Sequence, residues 1–495
     1  MVLRLDQVWV KASRVPPELS GDALCRWFAD RVQMLEGASV LLLWHQALVV
    51  SASRTAHWRE FANEATASDL EQFRTGMGPK AWTEQEAESL ILPMEAPRLG
   101  YRNMEQIVAW LTRPLEQGWA PVLRAMGLAR AIDARWGNDL PKLFGTATGS
   151  PGPLRLRGGW PVPRAEPPLR AMMGGLPLSS RPDNLELGNL PRSHTNRLGL
   201  VSRRLGTASL RLHFADTNVR NWEAVPLRAA AAVVRGLVSH RVTPSKQSPG
   251  RFRVRVKGDV CVVAEALAAW VCTAAAQKAS VLVMPELCSS RLIHHNLDMS
   301  IAARVQGGEP VPRLMVTGSR HVATRYGGKK RLRNRATLYV DGHAVFQHDK
   351  FNPVALPEPD GREHIDTQRP TLNIFFHPTF SVAIAVCKDI LERTVRERLQ
   401  DASPTFVLVP AWTPKAQPFE LASAHLLLQQ TITIVCNYVD DRTASVVPTA
   451  FVALPVEGPV HRVTLDGPSP AQGVWVCAVH QPVGASRPTW RCADR

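Results

Sequence analysis

The sequence predicts an α/β protein, with a layered α–β domain in the C-terminal half and a mainly helical N-terminal region. Three observations predict it. From residue 205 onward, apolar strand-like runs alternate with helix-like segments, the pattern of a layered α–β domain. Met104 to Leu115 and Trp119 to Trp136 repeat apolar residues at three- and four-residue spacings, as amphipathic helices require. Between these regions, residues 145–192 hold 9 Pro and 8 Gly in 48 positions, against 39 Pro and 32 Gly in all 495. That density of helix and ladder breakers marks a change of organisation. The boundaries that follow are an N-terminal accessory domain (1–144), a Pro/Gly/Arg-rich linker or irregular arm (145–204), the α/β domain (205–485) and a short tail (486–495).

The elements of the α/β half can be read in order. RFRVRVK (251–257) is strand-like, and Asp259 to Gln277 is helix-like and Ala-rich. SVLVMP (280–285) reads as a strand, Leu297 to Val305 as a short helix, and PRLMVTGS (312–319) as a strand. ATLYVDGHAVFQHDK forms a hairpin around Asp341-Gly342, a type I′ turn signal. SVAIAVC (381–387), TFVLVPA (405–411), TITIVCN (431–437) and GVWVCAVH (473–480) complete the strands. Ala38 to Val50 fits a buried strand or a core helix equally, because periodicity cannot separate them in so short an apolar run.

Charge and composition narrow the class. Lys and Arg number 59 against 43 Asp and Glu, a net charge of +16. Such a surplus points to an acidic partner such as nucleic acid, anionic lipid or an acidic protein. Its make-up, 48 Arg to 11 Lys, also fits Arg-rich coding bias, so charge alone assigns no function. The chain opens without a basic segment and apolar core of the signal-peptide kind, and its longest apolar run falls short of the roughly 20 residues a bilayer needs. The eight cysteines show no CxxC pairing of the zinc type. A cytoplasmic protein without membrane association is expected, with Cys261, Cys272, Cys436 and Cys477 as inert core thiols.

Three polar residues end apolar strands, where open α/β folds place their sites. Glu286 ends VLVMPEL, Lys350 ends AVFQHDK and Cys387 ends SVAIAVC. KDILERTVRERL after Cys387 reads as a helix, which would set the thiol near a helix N-terminus that favours the thiolate. Backbone N–H groups there could also hold an oxyanion. Taken singly, each residue has an ordinary structural reading: a core thiol, a helix cap, a surface lysine. The ordered set is what carries chemistry.

MPEL, HDKFNPVALPE and VCKD, in this order, resemble the Glu, Lys and Cys blocks of the nitrilase (carbon–nitrogen hydrolase) superfamily. Their gaps of 64 and 37 residues are of the family's kind, and RNRATLYVDGHAV, FVLVPAW and TITIVCN resemble its intervening strands. The resemblance covers about residues 251–483, with ASLRLHFADTN (208–218) competing with RFRVRVK as the first strand. It implies a four-layer α-β-β-α sandwich that hydrolyses an amide-like small molecule through a thioester. In that role Cys387 is the nucleophile and Glu286 moves protons. Lys350 and the N–H of Lys388 hold the oxyanion, and Glu358 orients Lys350 or a substrate. No metal or organic cofactor is implied.

The chain also departs from the family pattern. Lys388 replaces an aromatic residue, ILERT follows the retained Asp389, and His425 to Gln429 and VVPTA (446–450) differ from the usual blocks. These positions bear on substrate choice and oligomer contacts, and a homo-oligomer is one open partner reading. Tyr438-Val439-Asp440-Asp441 spells a reverse-transcriptase metal motif, but its faint companion GGLPLSS (174–180) lies about 260 residues away, so coincidence is preferred. The alternative to an enzyme is a catalytically weak nitrilase-like regulatory module, bound to nucleic acid or linked to a reverse transcriptase in phage defence. The basic segment Arg325, Lys329, Lys330, Arg331, Arg333, Arg335 reads as a solvated loop or, more sharply, as an anion-binding surface.

Overall fold

The computed structural model describes residues 26–27, 29–30, 85–90, 101–113, 120–136, 154–156, 160–178, 198–201, 209–215, 219–232, 239–244, 250–326, 329–355, 361–366, 371–413, 415–427, 429–438, 450–456, 462–465, 474–478 and 491–492. Ala38–Val50, Glu358, Asp440 and Asp441 lie outside the described residues. The chain divides into two compact units. One comprises Met1–Gly152, Gly158–Arg164 and Arg181–Arg204; the other comprises Pro153–Arg157, Ala165–Ser180 and Leu205–Arg495.

In the first unit, helices α1 (Tyr101–Thr112) and α2 (Ala120–Trp136) match the two periodic segments. Their inward faces bury Ile107, Trp110, Leu111, Leu128 and Ile132. Arg124 is buried with them and donates to the Arg113 carbonyl at 2.9 Å, which offsets the cost of taking a guanidinium out of water. Strands β2 (Trp160–Pro163) and β3 (Leu198–Val201) pair antiparallel in this unit.

The second unit is the four-layer sandwich. Its larger sheet runs in the order β1 (Leu154–Leu156), β4 (Ser209–Phe214), β13 (Thr371–His377), β14 (Phe380–Ile384), β15 (Phe406–Trp412), β16 (Ile432–Tyr438), β17 (Ala450–Ala453), β18 (Arg462–Leu465). The other sheet runs β11 (His343–Asp349), β10 (Lys329–Val340), β9 (Leu314–Tyr326), β8 (Val281–Val283), β5 (Arg228–Ala232), β19 (Val474–Ala478), β20 (Arg491–Cys492). Each holds a parallel trio, β14–β15–β16 and β5–β8–β9. The inner faces meet across β15, β16, β8, β9 and β5, and near-continuous burial of these strands is what two covered faces demand. A small helix, α3 (Leu169–Met172), precedes β4.

Helices α4 (Val260–Ala276) and α5 (Arg291–Gln306) cover the seven-stranded sheet through Val263, Leu267, Val271, Ile293, Leu297 and Ile301. Asp259 caps α4 by accepting the N–H groups of Cys261 and Val262, and Ser290 caps α5 through the Ile293 N–H. That cap starts α5 six residues before Leu297, so the helix is longer than its apolar spacing indicates. Helices α6 (Arg393–Ala402) and α7 (Gln417–Leu427) cover the eight-stranded sheet. No described helix is long and apolar enough to cross a membrane.

One alternative left open by the sequence is decided here, and two expectations change. ASLRLHF supplies a strand of the large sheet, while RFRVRVK forms β7 (Arg251–Lys257) in a separate sheet with β6 (Ser239–Pro244) and β12 (Arg362–Glu363). β7 buries one face, Phe252 and Val254, which packs on Leu287. KDILERTVRERL opens as a 3₁₀ helix (Cys387–Leu391) before α6 begins. Cys261 is exposed, because the Asp259 cap sets it on the outer first turn of α4, and Cys272 is half-buried beneath Arg304; Cys436 and Cys477 are buried. The Asp341-Gly342 turn has positive φ at both residues, 48° and 79°, as a type I′ turn requires.

Gly318 ties this frame to the strand end at Glu286. Its φ is +72°, and a Cβ there would overlap Cys288 Sγ and the Pro285 carbonyl oxygen. Gly318→Ala is expected to lower unfolding free energy by at least about 2 kcal/mol through combined strain and overlap. Urea denaturation measures this; an unchanged midpoint would show that the β8–β9 crossover tolerates a side chain.

Candidate active site

The site assembles where strands end. β8 runs into Met284-Pro285-Glu286, β11 into Lys350, β14 into Ala385-Val386-Cys387, and β15 ends at Trp412. Glu286 belongs to one sheet and donates its N–H to Ala411 of the other at 3.2 Å, so the carboxylate is fixed at the junction of the two layers. Leu287 and Cys387 both adopt positive φ, 57° and 49°. Such backbone is unfavourable for residues with a Cβ and persists where the surroundings impose it. Leu287 is held by its N–H bond to Ser319 Oγ at 3.0 Å.

Glu286, Lys350 and Cys387 are all buried and adjacent. Lys350 Nζ donates to Glu286 Oε1 at 2.7 Å and to Glu363 Oε2 at 2.8 Å. Glu363 was not singled out in the sequence. It lies five residues past Glu358, on the two-residue strand β12, and it is the second carboxylate that holds Lys350, beside Glu286. Asn334 of β10 bridges the two carboxylates, donating to Glu286 Oε1 at 2.8 Å and to Glu363 Oε1 at 3.0 Å. The Val254 N–H donates to His321 Nδ1, which puts the imidazole proton on Nε2, where it donates to Glu363 Oε1 at 2.9 Å.

The two carboxylates therefore differ. Glu363 accepts from Lys350, Asn334, His321 and the Val354 N–H, two donors on each oxygen. Burial pushes its carboxyl up, but the Lys350 charge and the His321 bond overcome this and hold it well below the usual range. In Glu286, Oε1 takes both donors and Oε2 has none fixed. Burial pushes Glu286 up, against the pull of Lys350 and with the push of Glu363. Burial would lower Lys350, yet the two carboxylates keep it charged well above its ordinary range. Two carboxylates pushed apart around one cation is the arrangement that separates a proton acceptor from a fixed counter-ion.

Cys387 departs from expectation. Burial raises its thiol, and the Glu286 charge raises it further, against Lys350. The sequence predicted a helix N-terminus favouring thiolate; the residue instead opens a five-residue 3₁₀ turn, and burial is the largest influence on the thiol. Sγ lies 3.8 Å from the Trp412 carbonyl oxygen. The first bond of the turn runs from the Asp389 N–H to Val386, so the Lys388 N–H precedes it and has no carbonyl of the turn to bond. Lys388 itself is exposed.

Asp389 links the thiol's turn to the lysine. It is buried and accepts the N–H groups of Asn352 at 2.9 Å and Phe351 at 3.3 Å, the two residues after Lys350. Asn437 closes the other side, accepting the Thr413 N–H and donating to the Thr413 carbonyl just past Trp412. Among the described residues no three His, Cys, Asp or Glu side chains are placed to hold a metal.

Removing the Glu363 charge tests this electrostatic frame. Its folded value is depressed, so its contribution is present above the ordinary glutamate value near 4.5 and is lost as pH falls below it. Glu363→Gln is expected to cost about 3–5 kcal/mol at neutral pH. The gap from the parent protein should narrow as pH drops below 4.5. Chemical denaturation across pH reads both, and a gap that stays constant contradicts the assignment.

No protein-family model matches this chain, and no curated protein sequence matches it. Solved structures similar to it include the glutamine-dependent NAD+ synthetase from Acinetobacter baumannii in complex with ADP, at 14% identity and a TM-score of 0.34. That match covers 51% of this chain and 45% of the synthetase, so the chain spans less than half of that protein's length. A variant of the Nesterenkonia AN1 amidase from the nitrilase superfamily is 17% identical, with a TM-score of 0.33 over 50% of this chain and 89% of the amidase. Another variant of that amidase carries acrylamide added at its active-site cysteine. It is 16% identical, with a TM-score of 0.33 over 52% of this chain and 94% of its own.

Proposed function

We propose that the chain is a divergent nitrilase-superfamily member and a thiol-dependent hydrolase of a non-peptide carbon–nitrogen bond in a small amide-like substrate. The observation that carries this reading is the Glu286–Lys350–Glu363 arrangement beside Cys387, with one carboxylate oxygen unengaged. A thiol raised by burial is a neutral group and needs a base at the moment of attack. Glu286, raised yet still an acceptor, fits that task better than Lys350, which stays protonated.

Glu286 takes the Cys387 proton as sulfur bonds to the carbonyl carbon. Negative charge builds on the carbonyl oxygen, stabilised by the Lys350 ammonium and the Lys388 N–H. The intermediate collapses, the carbon–nitrogen bond breaks, and Glu286 returns the proton to the departing amine. Water then attacks the thioester with Glu286 again as base, releasing the acid and restoring the thiol. Glu363 keeps Lys350 oriented and charged throughout. Asn334 and Asp389 are positioning residues: one sets both carboxylates, the other ties the nucleophile turn to the lysine.

Incubation with small amides followed by intact mass tests the reading. An acyl adduct is expected on the parent protein and absent in Cys387→Ala, and Glu286→Gln should slow turnover by about 10²–10⁴. Because burial raises Glu286, the acid limb of the rate profile should fall away above pH 4.5, its ordinary value. A folded protein that forms no adduct with any amide or nitrile would favour the non-catalytic module instead.

A further inference from the structure

Arg331, Arg333 and Arg335 of the basic segment that the sequence singled out are balanced by acids. On β10, Arg335 is paired with Asp349, and Arg331 with Asp366 at 2.8 Å; Arg333 donates to the Asp366 carbonyl. Acids answer that stripe. The β6–β7–β12 sheet differs. Arg251, Arg253, Arg255 and Lys257 alternate along β7 with inward-facing Phe252 and Val254, so all four share its outer face. Arg362 of β12 stands in register beside Arg251, and Arg241 of β6 is in register with Arg255.

Arg251, Arg255, Lys257 and Arg362 are exposed, and no ion pair is recorded for them among the described residues. The one acid in the described residues of these strands, Glu363, is buried and points to Lys350. Like charges set side by side on a sheet oppose folding, so a counter-anion is the stabilising partner.

We propose that this face binds the phosphate backbone of a single-stranded nucleic acid. Alternate residues of a strand lie about 6.8 Å apart, which lets exposed Arg255 and Lys257 meet consecutive phosphates of an extended strand, with Arg251 and its register neighbour Arg362 further along the same face. Arginine forks outnumber lysine on the face and match phosphate oxygens in pairs. The exposed large apolar side chains, such as Val262, Leu292 and Leu421, lie on other elements, so the face lacks the apolar residues that a membrane-surface binder inserts. Among the described residues it presents no exposed aromatic ring for base stacking, so recognition is of backbone and indifferent to sequence.

The inference is independent of the hydrolase reading, and one experiment separates them. Binding of a labelled oligodeoxythymidine to the full chain is followed by fluorescence anisotropy across salt concentrations. With four phosphate contacts at about 0.7 per contact, log K should fall against log salt with a slope near −3. Arg255→Gln with Lys257→Gln should halve that slope. Arg220→Gln with Arg393→Gln, an equal charge change at exposed positions on other elements, should leave it unchanged. Cys387→Ala should bind like the parent protein. Equal weakening by both pairs, no salt-dependent binding, or binding to phosphatidylserine vesicles without binding the oligonucleotide would each overturn the proposal.

Discussion

A buried ammonium sets the terms for everything around it. Lys350 is almost wholly removed from water, and an uncompensated charge there would cost several kcal/mol. Two carboxylates answer it, which leaves one negative charge in excess if both are ionised. The surroundings resolve the excess by treating the carboxylates unequally. Glu363 receives four donors and stays ionised, whereas Glu286 receives two on a single oxygen and is pushed toward the proton. Proton-accepting capacity at Glu286 is thus a consequence of how the lysine was neutralised. The His321 tautomer belongs to the same balance, because an Nδ1 proton would meet the Val254 N–H and leave Glu363 one donor short.

The backbone holds these groups against their own preferences. Leu287 and Cys387 follow strands from different sheets, and each turns at positive φ. The Glu286 N–H bond to Ala411, the Leu287 N–H bond to Ser319 and the close approach of Gly318 over-determine the first turn. Asp389 does the same for the second by gathering the amides of Phe351 and Asn352. Asp389 and its neighbour Lys388 stand in opposite environments, one buried and one exposed. A residue pointing to solvent can vary; a buried carboxylate satisfying two backbone donors of the lysine loop cannot vary without leaving them unpaired.

Much of this was legible in the sequence, for identifiable reasons. β14, β15 and β16 are short apolar runs bounded by polar residues, and an apolar run ending in Glu, Lys or Cys is conspicuous. β5 was not legible: Ala229 to Ala232 is a helix-favouring stretch that becomes a strand because two neighbours, β8 and β19, supply its ladder. Glu363 was missed because the family pattern pointed to Glu358 and because its partners, Asn334, His321 and Lys350, come from other elements. His321 and Asn334 face one another across the β9–β10 ladder, a register that no local pattern reveals. The 3₁₀ turn was read as helix because its apolar spacing suits either form.

The same register explains how the net charge divides. In a strand, neighbouring side chains point to opposite faces, so a short strand at a boundary can carry opposite charges to opposite environments. β12 does this in two residues: Arg362 faces solvent and Glu363 faces Lys350. β7 repeats the division with arginines outward and Phe252 and Val254 inward, and its backbone at Val254 fixes the His321 tautomer. The sheet that completes the electrostatics of the buried site is therefore the sheet whose outer face keeps exposed cations without recorded ion pairs. Composition counts those arginines together with the neutralised ones on β10. Only the pairing of strands separates charge already balanced by Asp349 and Asp366 from charge that has no ion pair among the described residues.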